Sequence, residues 1–461
     1  MKPLRRALLL LAALCGLPGL AAAAGPVTAF VHANVVTMNG EAEVLRDRTV
    51  LVREGRIDAI GAPALELPAE ARRIDAAGAW LSPGLADMHM HSDIADDLAV
   101  YLAHGVTTVL NMGGARDGFI QRTLPAANRG AIPAPQVFAA FVVDGTADYG
   151  HFQAHTPDEA RAVVDLAKAN GYRFIKVYNN LRPEVFAALA AQGRRQGLPL
   201  LGHGVTAVGL AAQLDAGQAA VAHLEEFFYG FFWPPGTEQT DAPPPDAAIA
   251  RAVEAMRAHP GAAVVADLVT YAAIAGQIGH PEVVAAQLAA PDIATLAPAD
   301  RLAWRQSGYV RKTARLAARL AFLGRLAKAL ADAGVPLLAG TDAPTIPGLF
   351  PGRSLLDDLD LLEQAGLSRY QALATATRWP GDFIASRLGA MPFGRVAVGM
   401  RADLLLTAAS PLDGLATLRR PLGVMAGGQW RDAAALDGLR RDVAGHYAPH
   451  DAPADPCPPP R

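Results

Sequence analysis

The chain contains little cysteine, few aromatic residues and few charged residues. Its 461 residues include 2 cysteines, Cys15 in an N-terminal apolar segment and Cys457 in a proline-rich C-terminal segment. Loss of the N-terminal segment would leave one cysteine, which excludes an intramolecular disulfide from the mature chain. Aromatic residues make up 6% and charged residues 18% of the chain, against 51% hydrophobic residues. This composition excludes a disordered or fibrous protein and predicts a globular one whose core is rich in Ala, Leu and Val.

The chain also lacks any cluster of basic residues. Its 41 basic and 44 acidic residues give a formal net charge of −3, and no run of Lys or Arg is interleaved with aromatic residues. Loss of Lys2, Arg5 and Arg6 with the N-terminal segment would change the net charge to −6 (38 − 44). A mildly acidic protein of this kind is not expected to bind nucleic acid.

Residues 1–24 have the pattern of a signal peptide. Basic residues come first, the apolar run 7–14 follows, and small residues at 21–24 precede Gly25. The apolar run is shorter than the roughly 18 to 20 residues that span a bilayer, so a retained membrane anchor is the less favoured alternative. We therefore expect an exported protein, periplasmic or extracellular, with no membrane span after cleavage.

From residue 83 onward, short apolar runs alternate with helical segments, as in a parallel sheet with crossover helices. The runs cover residues 84–90, 106–112, 136–143, 172–178, 199–202, 219–222, 262–268 and 335–340. Eight parallel strands predict an α/β protein with a (β/α)8 TIM barrel, over residues 82–388. Strand-like patterns on either side predict a small β-sandwich domain built from residues 25–81 and 389–446, followed by a disordered proline-rich tail, 447–461.

Two further patterns concern the connections between strands. Thr156 with Glu159, and Ser354 with Asp357, are predicted capping boxes that start helices. The stretch 227–326 is longer than one crossover needs, and its segments 233–236 and 242–245 are predicted loops that shape access to the barrel mouth.

Chemically active residues recur at the ends of predicted strands one, four, five, six and eight. The carboxyl ends of barrel strands converge on one mouth, and alternate residues of a strand share a face. Imidazoles and carboxylates are the ligands expected for zinc or a similar divalent ion. The candidates are His89, His91, Lys176, His203, His223 and Asp342.

These residues carry a family resemblance. The set formed by His89-x-His91, Lys176, His203, His223 and the Gly-Thr-Asp stretch at 340–342 is similar to the binuclear branch of the amidohydrolase superfamily, in its imidazolonepropionase-like and prolidase-like group. The resemblance extends from about residue 35 to 428 and includes the Gly-Met-Arg-Ala-Asp stretch at 399–403. It implies a metal-dependent hydrolase that acts on C–N bonds.

The resemblance implies two divalent metal ions, with zinc as the default and manganese or cobalt as alternatives. His89 and His91 would bind the more buried ion, and His203 and His223 the more exposed one. Imidazole ligands of this number are typical of zinc.

The resemblance also assigns roles to the remaining two residues. Lys176 would carry a carbamate, formed with carbon dioxide, that bridges both ions and removes the cost of burying a cation. Asp342 would contact the buried ion and act as general base and acid toward a hydroxide held between the metals.

Substrate contacts are predicted from position alone. His151 and His155 follow the third strand, where relatives of this kind place a residue that contacts the substrate carbonyl or carboxylate; exposed loop residues are the alternative. Tyr178 shares a strand face with Lys176, and Tyr229 lies just past strand six, so either lines the cavity or serves in packing. The sequence offers no arginine clamp for a substrate carboxylate, which weakens the peptidase interpretation.

The favoured function is a secreted amide hydrolase that resembles prolidase-like dipeptidases, because that group shares the lysine of strand four. The alternatives are hydrolysis of non-peptide amides, cyclic amides or lactones. Imidazolonepropionase itself is less favoured, because such enzymes typically lack this lysine. A metal-binding protein without turnover is the distant alternative. The expected partner is a small-molecule or dipeptide substrate, and a homo-oligomer is compatible with the sequence.

Overall fold

The structure is a computed structural model that describes residues 27–41, 43–233 and 240–448. The predicted leader, 1–24, most of the predicted loop 233–236 and residues 449–461 of the predicted tail lie outside the described residues. Within the described ranges, no helix combines the length and the apolar character that crossing a bilayer requires.

The chain forms 17 strands and 14 α-helices over these residues. The strands are β1 Val27–Val36, β2 Val44–Arg53, β3 Arg56–Gly61, β4 Arg72–Asp75, β5 Trp80–Pro83, β6 Leu85–Met90, β7 Val106–Asn111, β8 Gln136–Asp144, β9 Phe152–Gln153, β10 Phe174–Val177, β11 Leu200–Gly202, β12 Ala220–Val221, β13 Ala263–Val265, β14 Leu337–Leu338, β15 Leu404–Thr407, β16 Gly423–Ala426 and β17 Gln429–Asp432. The helices are α1 Ala95–Ala103, α2 Leu124–Asn128, α3 Pro157–Ala169, α4 Pro183–Gln196, α5 Leu210–Asp215, α6 Ala247–Arg257, α7 Leu268–Gln277, α8 Pro281–Leu288, α9 Pro298–Arg305, α10 Ala317–Asp332, α11 Arg353–Gln364, α12 Arg369–Thr375, α13 Arg378–Leu388 and α14 Ala433–His446.

Eight strands form a parallel barrel in the order β6-β7-β8-β10-β11-β12-β13-β14. Backbone hydrogen bonds close it, since Met88 N donates to Ala339 O at 2.9 Å and Thr341 N donates to His89 O at 3.0 Å. All six residues of β6 and of β7 are buried, as expected for strands covered on both faces. The predicted (β/α)8 TIM barrel is confirmed.

A separate β domain is built from both ends of the described chain. Its strands lie in the order β17-β16-β15-β5-β1-β2-β3, with β4 on β1. The N-terminal and C-terminal parts meet where β15 runs antiparallel to β5, with Leu404 opposite Pro83. Phe30 and Trp430 pack edge to face across this domain, with ring centres 5.1 Å apart. The predicted association of the two terminal β segments is confirmed.

The two predicted capping boxes have different outcomes. Thr156 caps α3, because its Oγ1 accepts a hydrogen bond from Glu159 N at 3.2 Å. The prediction at Ser354 is wrong, because α11 begins at Arg353 and its N-cap is Gly352. Gly352 has φ +75°, a left-handed conformation that glycine adopts without strain, and Ser354 Oγ instead accepts from Phe350 N at 2.8 Å.

The long connection around β13 is largely helical rather than a set of loops. Helix α6 precedes β13, and α7 to α10 lie between β13 and β14. Helix α7 and the turn at Tyr309–Arg311 bring Thr270, Ile274 and Tyr309 to the barrel mouth. The residues of this stretch that line the mouth thus lie on α7 and in the turn at Tyr309–Arg311, not in the predicted loop 242–245, and most of the predicted loop 233–236 lies outside the described residues.

Candidate metal centre

The six candidate residues from the sequence lie at one end of the barrel. His89 is on β6 and His91 just beyond it, Lys176 is on β10, and His203, His223 and Asp342 follow β11, β12 and β14. Five of them line one cavity, and His89 lies beneath it, fully buried. The imidazole centres of His89 and His223 are 4.3 Å apart, and those of His203 and His223 are 5.0 Å apart. The structure thus brings together every residue predicted to bind metal.

Side-chain atoms at the base of the cavity approach one another at the spacing of metal ligands. His89 Nε2 lies 3.2 Å from Lys176 Nζ and 3.3 Å from Asp342 Oδ1, and His91 Nε2 lies 3.0 Å from the same oxygen. Two ligands held about 2.0 to 2.1 Å from one tetrahedral ion are themselves about 3.3 Å apart. His89, His91 and Asp342 therefore fit one divalent cation.

The Nδ1 atoms of three imidazoles face acceptors, which leaves each Nε2 directed away from them. His91 Nδ1 lies 2.8 Å from Gly113 O, and His89 Nδ1 lies 3.1 Å from Ala222 O. His203 Nδ1 lies 2.6 Å from the Glu226 carboxylate. A histidine that binds metal through one ring nitrogen commonly donates the other N–H to a carbonyl or carboxylate. The donor set on this chain therefore fits the metals implied by the resemblance.

Electrostatics favour the neutral forms of His89 and His203. Burial, and then the positive charge of Lys176, hold the pKa of His89 and of His203 well below the usual range. The pKa of Asp342 is lowered: burial acts to raise it, but the hydrogen bond and charge of His91 outweigh this effect. A neutral imidazole and an ionised carboxylate are the forms that bind a cation.

Lys176 is a buried amine without a carboxylate partner. Its side chain is 2% exposed, and among the described residues no carboxylate oxygen lies within 4.0 Å of Nζ. Burial lowers the pKa of Lys176 to about 8. Burying a cation without a counter-ion costs free energy. Burial therefore favours the neutral amine of Lys176, or a modification that removes its positive charge.

Asp267 is a residue of the centre that sequence reasoning missed. It follows β13, is 3% exposed, and its Oδ2 lies 2.8 Å from both His89 Nδ1 and His223 Nδ1. Neither contact is aligned as a hydrogen bond, and within the described chain both carboxylate oxygens and His223 Nδ1 have no hydrogen-bond partner. Burial raises the pKa of Asp267 well above its usual range. The separation of 2.8 Å is shorter than that of two ligands on one ion, which favours direct contact of Asp267 with the two imidazoles over a shared metal.

Gly340 provides the space that Asp267 occupies. A Cβ at Gly340 would lie 2.2 Å from Asp267 Oδ1 and 2.8 Å from His89 Cβ. Any larger residue would collide with the centre, so a glycine is required at this point of the barrel.

The cavity above the centre has a volume of about 430 Å³ and mixes aromatic, apolar and polar side chains. Of the predicted substrate contacts, His151 and Tyr178 line it. Tyr229 does not, since it lies in the turn Phe228–Phe232 and packs on the hydrophobic core, and His155 is exposed outside the cavity. Residues of the cavity wall that the sequence did not single out are Met112, Gly113, Val142, Tyr149, Glu225, Thr270, Ile274, Tyr309, Thr345 and Ile346.

Comparison with known proteins yields short sequence matches. The chain matches no family model. It is 43% identical over 68 residues to the imidazolonepropionase of Ralstonia nicotianae, which covers 13% of this chain and 16% of that protein. It is 41% identical over 69 residues to a deacetylase of Brucella anthropi, covering 14% of this chain and 17% of that protein. The matches therefore span about a sixth of the length of these relatives.

Solved structures match over nearly the whole chain. A bottromycin amidohydrolase superposes with a TM-score of 0.70 at 26% identity, covering 91% of each chain. A Xaa-Pro dipeptidase with bound methionine has a TM-score of 0.64 at 17% identity, covering 88% of this chain and 100% of that one. A molinate hydrolase has a TM-score of 0.65 at 18% identity, covering 89% and 96%.

The dipeptidase and the molinate hydrolase support the fold alone at these identities, whereas the amidohydrolase and the short sequence matches agree on one family. The same family was expected from the strand-end residues that the barrel brings together. This chain is therefore similar, in short stretches of sequence and in its whole fold, to proteins of the amidohydrolase superfamily.

Proposed function

We propose that the chain is a hydrolase that uses two divalent metal ions, zinc by default, to cleave amide C–N bonds. The main support is the convergence of four imidazoles, one lysine and one aspartate at the barrel mouth, with contacts of 3.0 to 3.3 Å among His89, His91, Lys176 and Asp342. The reaction adds water across the amide and gives a carboxylic acid and an amine.

Bound divalent ions would supply a water of lowered pKa and a polarised carbonyl. Asp342 is placed to move the proton. Its Oδ1 faces the imidazoles, whereas its Oδ2 lies 3.0 Å from Thr345 Oγ1, a hydroxyl that also lies 2.6 Å from the Asp342 backbone O. Asp342 Oδ2 would accept the proton of the attacking water and return it to the leaving nitrogen.

The proposed carbamate on Lys176 rests on the burial of its amine. Reaction of the neutral amine with carbon dioxide forms a new N–C bond and releases a proton, which leaves an anionic group beside His89. Such a group would offer oxygen ligands whose charge the metals balance.

The proposed reaction does not specify which class of amide is the substrate. Prolidase-like dipeptide cleavage agrees with the full-length fold likeness to a Xaa-Pro dipeptidase. One observation favours non-peptide amides, cyclic amides or lactones instead: among the described residues, no arginine lines the cavity to bind a C-terminal carboxylate. The relatives include an imidazolonepropionase, a deacetylase and an amidohydrolase, so the family accommodates several acyl groups.

A substrate panel tests the proposed function directly. Release of free amine would be measured with dipeptides, N-acyl amino acids and cyclic amides, and release of acid with lactones, using protein loaded with zinc in bicarbonate. Turnover of dipeptides with C-terminal proline would establish the peptidase. Turnover confined to other amides would establish non-peptide hydrolysis, and metal binding without any turnover would support the metal-binding alternative.

We expect Asp342→Asn to reduce kcat by about 10²- to 10⁴-fold, the usual contribution of a general base. The amide keeps one oxygen toward the imidazoles but cannot take up the proton. The metal content, measured by atomic emission on the same samples, separates this loss from loss of a ligand. Asp437→Asn, on the exposed face of α14, serves as the control. A near-normal rate would remove Asp342 from the role of base.

A further inference from the structure

A second cavity lies where the β domain meets the barrel. Its volume is about 190 Å³, and it shares no lining residue with the cavity above the metal centre. On the barrel side it is lined by the end of α2, the loop that follows and Gln136, the first residue of β8. On the other side it is lined by Arg401, Asp403 and the β16-β17 hairpin. Because the mouth is formed by the carboxyl ends of the strands, this cavity lies at the opposite end of the barrel from the metal centre.

The β16-β17 hairpin turns polar side chains toward the barrel. Arg431 lies opposite Val424 in the sheet, and Gln429 lies opposite Ala426. Opposite residues of a ladder share a face, as do alternate residues of a strand, so these side chains lie on the face of Val424, which packs in the core of the barrel. Gln429 Nε2 donates to Gly130 O of the barrel loop at 3.2 Å, and Arg431 Nη2 donates to Gln429 Oε1 at 3.2 Å. The guanidinium of Arg431 is therefore held at the junction of the two domains.

Arg431 is half-buried and has no counter-ion within the part of the chain that the structure describes. No carboxylate oxygen of that part lies within 4.0 Å of its nitrogens, and the amide of Gln429 that it contacts is neutral. Burial lowers the pKa of Arg431, and no nearby carboxylate offsets this effect. Arg395 and Arg419, which are also partly buried, each pair with aspartate. A half-buried cation without a partner costs free energy that a bound anion would offset.

The lining of this cavity has an excess of positive charge. Its charged residues are Arg129, Arg401, Asp403 and Arg431, with a formal charge of +2. Arg401 forms a buried pair with Asp403, so the excess belongs to Arg431 and to the exposed Arg129. Guanidinium groups bind the oxygens of phosphate-like anions through paired hydrogen bonds. Pockets for ligands of drug size have volumes of about 300 Å³ or more, so this smaller cavity suits a small ion.

We propose that the cavity binds a small tetrahedral oxyanion, sulfate or phosphate, through Arg431 and Arg129. The ion would add a contact between the β16-β17 hairpin and the barrel loop after α2. Because the cavity is remote from the metal centre, this inference does not depend on the proposed amide hydrolysis.

Titration calorimetry with sodium sulfate tests the site on the metal-loaded protein, with sodium chloride added to keep the ionic strength constant. Loss of a charge-assisted hydrogen bond corresponds to about 10- to 100-fold in Kd. We expect Arg431→Gln to weaken sulfate binding by this factor. Arg431→Lys should weaken it less, because lysine keeps the charge but not the paired donors. Arg441→Gln, an exposed change on α14, is the matched control and should leave the Kd unchanged.

A second variant distinguishes this site from anion binding at the metal ions and from misfolding. Arg129→Gln, on the barrel side of the cavity, should weaken sulfate binding about fivefold or less, because this guanidinium is exposed. Metal content and circular dichroism of each variant would show that the centre and the fold persist. A sulfate Kd that is equal in the wild type and in both variants, or the absence of sulfate binding by the wild type, would overturn the site.

Parallel titrations with phosphate identify the preferred ion. A lower Kd for phosphate than for sulfate, raised again by Arg431→Gln, would assign the site to phosphate, and the reverse order would assign it to sulfate.

Discussion

At the scale of single residues, the centre depends on groups that hold the imidazoles as much as on the imidazoles themselves. Gly113 O, Ala222 O and Glu226 each face one Nδ1 atom, whereas Asp267 lies 2.8 Å from two of them. One carboxylate therefore lies within contact distance of both His89 and His223. Because His89 lies on β6 and His223 follows β12, Asp267 is placed to orient two imidazoles that come from different strands of the barrel.

We expect Asp267→Asn to weaken metal binding by about 10- to 100-fold, the usual effect of losing a partner that orients a ligand. The amide has nearly the same shape, so the fold should persist, as circular dichroism would show. Competition with a chromophoric chelator would measure the metal affinity. Asp97→Asn removes another buried carboxylate, on α1, and should leave that affinity unchanged. An unaltered metal affinity in Asp267→Asn would rule out the orienting role.

The sequence predicts the six residues that converge because each lies near the end of an apolar run or directly after one, and such runs end at the barrel mouth. Asp267 was missed for a physical reason: strand β13 ends at Val265, but the apolar run continues through Leu268 into α7. Its backbone turns there with φ +44°, a conformation that Asp adopts more readily than most residues. The one sequence feature that could have identified Asp267 is its position as a charged residue within an apolar run.

Tyr229, in contrast, is a residue that the sequence placed in the cavity and that the structure places outside it. Its position near His223 suggested the cavity, but a π-helical turn, Phe228–Phe232, directs it onto the core. Nothing in the local pattern distinguishes such a turn from an ordinary loop, so nearness in sequence does not determine which side chains line the site.

At the scale of elements, β13 and β14 pack closely against β6, and this close packing limits the volume around the candidate metal centre. A Cβ at Gly340 would lie 2.7 Å from Val265 Cγ1, in addition to its clashes with Asp267 and His89. The two strands and the metal centre therefore share one tightly filled layer.

We expect Gly340→Ala to destabilise the fold by about 1 to 3 kcal/mol, the usual cost of overpacking, and to reduce the metal content at the same time. Chemical denaturation and metal analysis would be performed on the same preparation. Gly445→Ala is the matched control, because a Cβ there, on α14, meets nothing within 4 Å. If Gly340→Ala kept both the stability and the metal content of the wild type, the packing of this layer would be looser than the structure indicates.

At the scale of the whole molecule, a buried ion pair joins the β domain to the barrel. Arg401 pairs with Asp403 and donates to Thr108 Oγ1 on β7, and all three side chains are buried. Asp403 also accepts from Gly427 N at 2.8 Å, which connects the pair to the turn between β16 and β17.

We expect Arg401→Met to destabilise the protein by about 3 to 5 kcal/mol, because Asp403 would keep a buried charge without its partner. The double variant with Asp403→Asn should recover part of the loss. Thermal unfolding would compare these proteins with Arg53→Met, which breaks an exposed pair with Asp58 and should cost about 1 kcal/mol or less. A similar melting temperature for Arg401→Met and Arg53→Met would contradict the importance of the junction.

Export is the remaining proposal at this scale. We expect expression of the full chain to give a periplasmic or secreted protein that begins near Gly25, because residues 1–24 have the pattern of a cleaved leader. Intact-protein mass spectrometry of cell fractions would check it. A replacement of Leu9 by Arg should interrupt the apolar run and retain the precursor in the cytoplasm. Recovery of the uncleaved mass in the membrane fraction would instead establish an anchor.

The pairing of β5 with β15 imposes an order on folding. Thr407 of β15 lies opposite Trp80 of β5, 327 residues earlier in the sequence, so the sheet of the β domain cannot be completed until nearly all of the chain has been synthesised. The whole barrel lies between the two halves of that sheet, and contacts so distant along the chain form slowly. During synthesis the edge of β5 stays open and able to pair with a neighbouring chain, a hazard that lasts until the final strands arrive.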